Sequence, residues 1–383
     1  MSNRRGFFSR LAAGGASLLA QPAVPKAVPF ETPDAPKLPF KMAGGVKEFE
    51  LIAEVVRQEV VPGRFIDAWG YNGSVPGPTI EINEDDRVRV IFRNKLPEPS
   101  AVHWHGFEVP MEMDGSVGLG QDQVMPGGTF VHEFTLRQHG TCFYHSHFPM
   151  QEMMGMIGFV VIHPAKAYTP HVHRDFGLVI QEWAIHPNNT VPNSLAMEFN
   201  WLTFNGKAGP DCTPLIVKQG ERARVRLINI GMDHHPIHMH GMQFVVTGTE
   251  GGRVPESMWY PQNTVLVGVA QARVFEFEAK YIGDWMLHCH LPHHMMNQMV
   301  SMVGPSPHAG HDMGAMYPKD DPEKKKVPGY PQDMWMVGHY PFRPKAEYYG
   351  LRKGWDAAMM GMMTMVRVVT EETYAEIEKL RAL

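Results

Sequence analysis

This chain of 383 residues has few cysteines, a small net charge and few long apolar runs. It has three cysteines, and because that number is odd, at least one thiol stays outside any internal disulfide. The formal net charge is −5, which gives no reason to expect nucleic acid or an anionic membrane surface as a partner. No segment after the N-terminus is long and apolar enough to span a membrane. The length and the 44% of apolar residues predict two or three ordinary globular domains.

The first 23 residues have the order of an export signal. Arg4 and Arg5 precede an aromatic pair and a short, weakly apolar stretch, Leu11–Ala20, as in twin-arginine signals. A basic, disordered start is the alternative interpretation of the same residues. We prefer the signal, which predicts a periplasmic or secreted protein and cleavage after Ala20 or Ala23.

Histidine and methionine are abundant, with 21 and 28 residues respectively. Both are metal ligands, since histidine binds copper generally and the methionine thioether prefers the soft cuprous ion. Methionine also fills irregular gaps in hydrophobic cores, and that is the role we expect for most of these residues. The composition therefore indicates a metal site without locating it.

The chain contains an internal repeat. Residues 80–106 match residues 215–241 at a constant offset of 135, and both copies end on a His-x-His-Gly motif. Residues 131–147 match residues 274–290 at an offset of 143. The two offsets differ by eight residues, as an insertion in a loop would produce. We therefore expect two similar domains.

The repeated stretches alternate apolar and polar residues, are rich in Val, Ile and Phe, and are interrupted by Gly and Pro. This pattern predicts short antiparallel strands and an all-β fold of two β-sandwiches. We place domain one at 45–165 and domain two at 166–304. Residues 305–383 differ in composition and form a methionine-rich C-terminal extension, in which only Glu371–Leu383 is predicted to be helical.

Each copy of the repeat carries two His-x-His pairs. Residues i and i+2 of a strand point to the same face, so each pair presents two imidazoles side by side. A single buried histidine commonly needs only hydrogen bonds, but eight imidazoles on four strands would be difficult to bury without metal. The pairs are His103/His105, His145/His147, His238/His240 and His288/His290.

Cys289 lies between the two histidines of the last pair, so its sulfur points to the opposite face of the strand. A blue-copper site needs two histidines, one cysteine thiolate and a weak axial methionine. His235, His294 and Met299 lie at suitable intervals to complete such a set. Domain one cannot hold a second one, because the equivalent positions keep only the methionine: Ser100, Ser146, Gln151 and Met156.

Four motifs together resemble the signatures of the multicopper oxidases, laccase-like enzymes built from cupredoxin domains. They are His103-Trp104-His105-Gly106, residues 140–147, residues 235–241, and His288-Cys289-His290 with His294 and Met299. The resemblance covers about residues 45–304 and implies that both domains are cupredoxin-like Greek-key β-sandwiches. It implies copper as the cofactor, with one type-1, one type-2 and two type-3 ions in each functional unit.

The resemblance also implies a role for each ligand. The type-1 copper would be held by His235, Cys289, His294 and axial Met299. The type-2 copper would be held by His103 and His238. The two type-3 ions would be held by His105, His145 and His290, and by His147, His240 and His288. With type-1 ligands only in the second of two domains, the chain is similar to two-domain laccases, whose cluster lies between the subunits of a homotrimer.

The implied activity couples four one-electron oxidations of a small reducing substrate to the reduction of dioxygen to two waters. Asp114 resembles the family's acid near the type-2 copper and is a candidate catalytic proton relay, although an aspartate before Gly115 is also typical of a turn. Related bacterial enzymes often have an acid directly after the type-1 histidine, and here that residue is Met295. Glu152 is a possible substitute that we do not favour.

The electron donor stays open at this point. Phenols, aromatic amines or metal ions could serve, and the methionines make a cuprous-ion oxidase for copper tolerance the main alternative. A copper nitrite reductase is less favoured, because that class keeps type-1 copper in domain one, where this chain has Ser146. A non-catalytic copper-binding cupredoxin is less favoured too, because no predicted cluster ligand is missing.

Overall fold

The protein is described from a computed structural model, which places residues 28–185, 189–195, 197, 199–295 and 342–383. The predicted export signal (1–23) and the predicted axial ligand Met299 lie outside the described residues. Among the helices within these ranges, none is long and apolar enough to cross a membrane.

Within the described ranges the chain forms mostly strands, with two α-helices, α1 (Pro149–Met153) and α2 (Glu371–Arg381). The strands of the first half are β1 (Phe30–Glu31), β2 (Phe40–Ala43), β3 (Val46–Val61), β4 (Arg64–Tyr71), β5 (Gly77–Asn83), β6 (Arg87–Asn94), β7 (Val102–His105), β8 (Thr129–Thr135), β9 (Gly140–Ser146) and β10 (Ile157–His163). Those of the second half are β11 (Arg174–Trp183), β12 (Trp201–Phe204), β13 (Leu215–Lys218), β14 (Arg222–Asn229), β15 (His235–Met239), β16 (Phe244–Thr249), β17 (Gly252–Arg253), β18 (Pro261–Gln262), β19 (Thr264–Val267), β20 (Gln271–Glu278), β21 (Gly283–Cys289) and β22 (Met363–Val369).

Domain one is a sandwich of two sheets. One has the strand order β2-β3-β6-β8 with β4 beside β3, and the other has the order β5-β10-β9-β7. Strand β6 shows how the sequence selects this packing, since Val88, Val90 and Phe92 are buried while Arg87 and Arg93 are exposed. A shift of one residue would bury the arginines, so the alternation also sets the register.

Domain two is a second sandwich. Its larger sheet has the order β1-β11-β14-β20-β16-β17, with β12 beside β11 and β18 beside β16. Its smaller sheet has the order β13-β22-β21-β15-β19. The predicted all-β class with two cupredoxin-like sandwiches is confirmed by this arrangement.

The two smaller sheets correspond strand for strand, and the comparison places part of the C-terminal segment inside domain two. Domain one has β5-β10-β9-β7 where domain two has β13-β22-β21-β15. Strand β22 therefore fills the position of β10, and all seven of its residues are buried. The domain boundary drawn at residue 304 leaves this strand out, because the partner that β13 and β21 require comes from much later in the chain.

The two domains share a buried interface. One apolar cluster combines side chains of both, among them Phe143 and Phe159 of domain one and Ile228 of domain two. Beside it, the buried Arg226 donates from Nε and Nη2 to Asp175, both at 2.8 Å, and from Nη1 to Thr141 Oγ1 of domain one, also at 2.8 Å. The outer face of β14 is thus buried against domain one at Arg226, which explains why the charge of Arg226 is paired with that of Asp175.

Candidate metal centre

Three predicted type-1 ligands come together in the core of domain two. His235 begins β15, Cys289 ends β21, and His294 lies in a 3₁₀ helix, Pro292–Met295, that follows β21. All three are fully buried. His235 Nδ1 lies 3.2 Å from His294 Nδ1, and Cys289 Sγ lies 3.7 Å and 3.5 Å from these two nitrogens.

These distances fit one metal ion held by two nitrogens and a sulfur. For bonds of about 2.0 Å to nitrogen and about 2.3 Å to sulfur, a trigonal arrangement separates the nitrogens by about 3.5 Å and nitrogen from sulfur by about 3.7 Å. The same three side chains form a group whose ligand atoms all lie within 4.8 Å of one another. The donor set is the one that blue-copper sites use.

Burial of this pocket disfavours charged forms of the Cys289 and His294 side chains when no metal ion is bound. Burial raises the pKa of the Cys289 thiol to about 12. Burial, together with the neighbouring His235, lowers the pKa of His294 to about 3. Both groups are therefore neutral without metal at neutral pH, and a metal ion supplies the positive charge that a thiolate needs.

The carboxylate of Glu182, which the sequence alone does not single out, contacts the imidazole of His235. Glu182, at the buried end of β11, has Oε2 2.8 Å from His235 Nε2, a close contact rather than a well-aligned hydrogen bond. Its Oε1 accepts from the backbone N–H groups of Met232 and, at 2.8 Å, of Asp233. An acceptor on Nε2 keeps the proton there and directs Nδ1 at the metal position. Asp233 Oδ2 lies 3.4 Å from His294 Nε2 in a looser version of the same arrangement.

The equivalent place in domain one holds a hydrogen-bonded substitute for the metal site. Ser146 Oγ and Ser100 Oγ donate to Gln151 Oε1 at 2.7 Å and 2.8 Å. Gln151 Nε2 donates at 2.8 Å to the carbonyl oxygen of Pro99. These side chains satisfy one another, so domain one has no type-1 donor set, as the repeat predicts.

The four histidines of domain one form a compact group at one edge of the sandwich. His103 and His145 pair across β7 and β9, and their ring centroids are 5.2 Å apart. His103, His105 and His145 bring ligand nitrogens within 4.8 Å of one another. The His103 Nδ1 N–H donates to the Asp114 carbonyl oxygen at 2.8 Å, which leaves Nε2 free for a metal ion. His145 Nε2 is buried and has no hydrogen-bond partner, as expected of a nitrogen reserved for a metal.

The four histidines of domain two repeat this arrangement. His238 pairs with His288 across β15 and β21, and their ring centroids are 5.6 Å apart. His238 Nδ1 donates to the Asn263 carbonyl oxygen at 2.7 Å, and His288 Nδ1 donates to that of Cys289 at 2.8 Å. His240 Nε2 lies 3.1 Å from His288 Nε2, a distance at which two nitrogens share a proton or a metal.

The two histidine groups stay apart within one chain. Among the eight described rings, every ring contact joins members of the same domain. Each group has one exposed member, His147 in domain one and His290 in domain two. Each group therefore offers four imidazoles and is open to solvent on one side.

Two acids lie beside the domain-one group. Asp114 Oδ1 is 3.4 Å from His103 Nδ1, and Asp114 Oδ2 accepts a hydrogen bond from Ser116 Oγ. Glu152 Oε1, in α1, is 3.0 Å from His145 Nδ1, although Glu152 is not favoured as an acid by the sequence alone. Glu152, which contacts the domain-one histidines, and Glu182, which contacts His235, line the same small cavity between the domains.

The methionines in the described part of the C-terminal segment pack in the core. Met359, Met363 and Met365 are buried in one cluster, against which Met286 and Met295 pack. Met362 is fully buried and belongs to the main core of domain two. Residues 305–341 of the predicted methionine-rich extension lie outside the described residues.

Comparisons with known proteins agree with this geometry. A sequence model described as multicopper oxidase matches residues 55–167, and a second with the same description matches 185–308. A crystal structure of a blue copper oxidase from Nitrosomonas europaea is 30% identical with a TM-score of 0.59, covering 65% of this chain and 80% of that one. The structure of multicopper oxidase mgLAC is 28% identical with a TM-score of 0.59 and the same coverage.

The curated relatives are longer. A copper resistance protein A homolog from Pseudomonas syringae pv. tomato is 34% identical over 212 residues, which are 55% of this chain and 35% of that protein. Laccase-2 of Botryotinia fuckeliana is 30% identical over 244 residues, 57% of this chain and 40% of that protein. The chain thus spans about a third of the first of these relatives. Since all twelve predicted ligands lie inside the two matched segments, and since the neighbouring structures share the sandwich fold, the chain belongs to the multicopper oxidase family.

Proposed function

We propose that the protein is a laccase-like oxidase that takes four single electrons from a small donor and reduces dioxygen to two waters. The observation that supports it best is the sequence His288-Cys289-His290 at the end of β21. Cys289 is buried against His235 and His294, while His288 lies among the second histidine group. One tripeptide thus joins an electron-entry site to half of an oxygen site by covalent bonds.

The proposed ligand sets follow the resemblance to the multicopper oxidases. The type-1 site would use His235, Cys289, His294 and an axial residue, for which the sequence predicts Met299. The type-2 site would use His103 and His238. The type-3 pair would use His105, His145 and His290, and His147, His240 and His288. When bound, copper supplies one-electron redox chemistry and the means to bind and reduce oxygen.

The chain's own groups orient these ligands and supply protons. Backbone carbonyls accept from Nδ1 of His103, His238 and His288, which leaves their Nε2 atoms available to a metal ion. Asp114 is placed 3.4 Å from His103, where a carboxylate can pass protons toward the oxygen site. Substituting Asp114 with asparagine should lower turnover while leaving the type-1 absorption unchanged.

Copper reconstitution of the full chain tests the proposed activity. The loaded protein should be blue and should consume one dioxygen for every four electrons taken from a phenol or an aromatic amine. A colourless loaded protein would contradict the type-1 site. Release of hydrogen peroxide as the main product would contradict four-electron reduction.

We also propose that three copies assemble head to tail, so that domain one of each chain meets domain two of the next. The support is that each chain has two complementary halves that do not contact each other, and that a head-to-tail interface must close into a ring or grow into a filament. Native mass spectrometry of the copper-loaded protein should give a trimer.

A complementation experiment tests the shared site directly. A chain with His145→Ala keeps an intact domain-two half, and a chain with His290→Ala keeps an intact domain-one half. Each variant alone should be inactive, whereas mixed assemblies should recover part of the activity, because some interfaces join two intact halves. As a control, His145→Ala mixed with His105→Ala should recover none. Active monomers, or no recovery in mixtures that do assemble, would argue against the shared site.

A cuprous-ion oxidase is the second candidate. The support is the similarity to the copper resistance protein A homolog and the abundance of methionine. Oxygen consumption with cuprous ion and with a phenol separates the two, because a metal oxidase should show a much higher kcat/KM for cuprous ion. A nitrite reductase is disfavoured by the Ser100, Ser146 and Gln151 network in domain one, and nitrite should not serve as acceptor.

We propose export by the twin-arginine route on the order of residues in 1–23. Sequencing the N-terminus of protein recovered from the periplasm should place cleavage after Ala20 or Ala23. An Arg4→Lys, Arg5→Lys variant should stay in the cytoplasm.

A further inference from the structure

We infer that Met362, 73 residues after Cys289 in the chain, is the axial ligand of the type-1 site in place of Met299. This inference rests on the proposed function and refines it. The spacing after Cys289 favours Met299 because domain one has Met156 at the matching interval. The structure assigns the position of Met156 to a different residue of domain two.

The first support is a third segment of the repeat. Met153-Met154-Gly155-Met156 immediately precedes β10, and Met359-Met360-Gly361-Met362 immediately precedes β22, at an offset of 206. The four residues are identical in the two copies. Since β10 and β22 occupy the same place in their sheets, Met156 corresponds to Met362 by sequence and by topology.

The second support is the strand register. In domain one Ile157 pairs with His145, and in domain two Met363 pairs with His288. Met156, which precedes Ile157, therefore lies beside Ser146 in domain one. Met362, which precedes Met363, lies beside Cys289 in domain two. Ser146 N donates to Met156 O at 3.1 Å, and Cys289 N donates to Met362 O at 3.0 Å.

The third support is a second hydrogen bond that ties the same methionine to the other ligand. Met156 N donates to Gln151 O at 3.3 Å, and Met362 N donates to His294 O at 3.0 Å. Gln151 is the domain-one equivalent of His294. The backbone of Met362 is thus bonded to two proposed copper ligands, one on each side.

Gly361 makes this approach possible. It has φ of +63°, and a Cβ there would lie 2.1 Å from His294 O, so the chain can pass this close to the ligand only without a side chain. The equivalent Gly155 also has positive φ, +112°, and no room for a Cβ. The glycine therefore belongs to the same structural unit as the methionine that follows it.

Burial and chemistry agree with a ligand role. Met362 is fully buried in the core that also contains Cys289 and Ile237. Met363 points to the other face of β22, where it packs with Met359 and Met365. A weak thioether beside a Cys and two His is the usual fourth donor of a blue-copper site, and the axial donor tunes its potential.

The experiment compares three methionine-to-leucine variants of the full-length, copper-loaded protein. Leucine nearly conserves the volume of methionine, so Met362→Leu should fold, which thermal melting checks. This variant should stay blue but shift its electron paramagnetic resonance hyperfine splitting and raise its type-1 reduction potential, because it removes a donor. Met299→Leu and the equally buried Met156→Leu should match the wild type in both measurements.

A second variant at the same position separates ligation from packing. Met362→Gln offers an oxygen donor, which favours the cupric ion, so its potential should fall below that of the wild type. Opposite shifts for leucine and glutamine are not expected from a disturbed core. The inference is overturned if Met299→Leu shifts the spectrum and potential while Met362→Leu does not, or if both Met362 variants match a blue wild type. A colourless wild type would instead contradict the proposed type-1 site itself.

Discussion

Replacing Glu182 with glutamine is expected to raise the reduction potential of the type-1 site. The Glu182 side chain is fully buried, and its Oε2 lies 2.8 Å from His235 Nε2, on the far side of the ring from the proposed metal position. A negative charge there stabilises the cupric over the cuprous state. Glutamine has nearly the same shape and removes the charge, so the oxidised form loses more stabilisation than the reduced form.

The structure sets the size of this effect. With a metal–nitrogen bond of about 2.0 Å beyond the imidazole, the carboxylate would lie roughly 7 Å from the metal. At an effective dielectric constant of about 20, a unit charge at that distance changes the energy by about 2.4 kcal/mol. Since about 1.4 kcal/mol corresponds to about 59 mV for one electron, the expected rise is on the order of 100 mV.

Spectroelectrochemical titration of the blue band measures the potential. Glu152→Gln is the matched control, because Glu152 lines the same cavity but contacts His145 instead of His235. Its type-1 potential should change much less. Glu182→Gln should also destabilise the fold by about 2 kcal/mol in urea, because the Met232 and Asp233 N–H groups lose a charged acceptor. A Glu182→Gln potential equal to or below that of the wild type would refute the electrostatic argument.

Three further perturbations test other parts of the structure. Asp175→Asn should lower the free energy of unfolding, measured by urea denaturation, by about 3–5 kcal/mol, because it leaves the buried Arg226 without its carboxylate. A decrease of less than about 1 kcal/mol would contradict this. Burial lowers the pKa of His132 from 6.5 to about 4. Between these pH values the unfolded chain binds a proton at His132 and the folded chain does not. The free energy of unfolding should therefore fall by up to about 3 kcal/mol from pH 6.5 to 4. His132→Gln should remove that part of the pH dependence, and an unchanged pH profile would disprove the assignment. Gly361→Ala should lose type-1 copper, measured by blue absorbance per protein, whereas Gly350→Ala, where φ is +77° but no atom lies near the added Cβ, should keep it.

The proposed ligands could be located from the sequence because two simple rules act on them. Strand alternation places both members of each His-x-His pair on one face, and the repeat shows the same pairs twice. The predicted grouping of His235, Cys289 and His294 is reproduced at 3.2–3.7 Å. The absence of the set from domain one was visible in the same way, through Ser146 and Gln151.

Other parts of the site could not be predicted because they depend on contacts across the fold. Glu182 has no counterpart in the repeated stretches, and it meets His235 only in the folded chain, where the Met232 and Asp233 N–H groups also bind its carboxylate. Glu152 was discounted because no neighbour in sequence marks it as an acid beside His145. Strand β22 was missed because a fixed offset cannot find a strand that follows an insertion within the repeat itself.

The late position of β22 changes how the second sandwich can form. In domain one the strands that pair His145 with Ile157 are joined by a connection of about 12 residues, whereas His288 and Met363 are separated by 75. Domain one can therefore close as soon as its last strand is synthesised, but domain two must wait for residues far beyond Cys289. A chain interrupted between His294 and β22 would have His235, Cys289 and His294 without the strand that pairs with β21, so the proposed capacity to hold blue copper would mark a chain in which β22 has been added to the sheet.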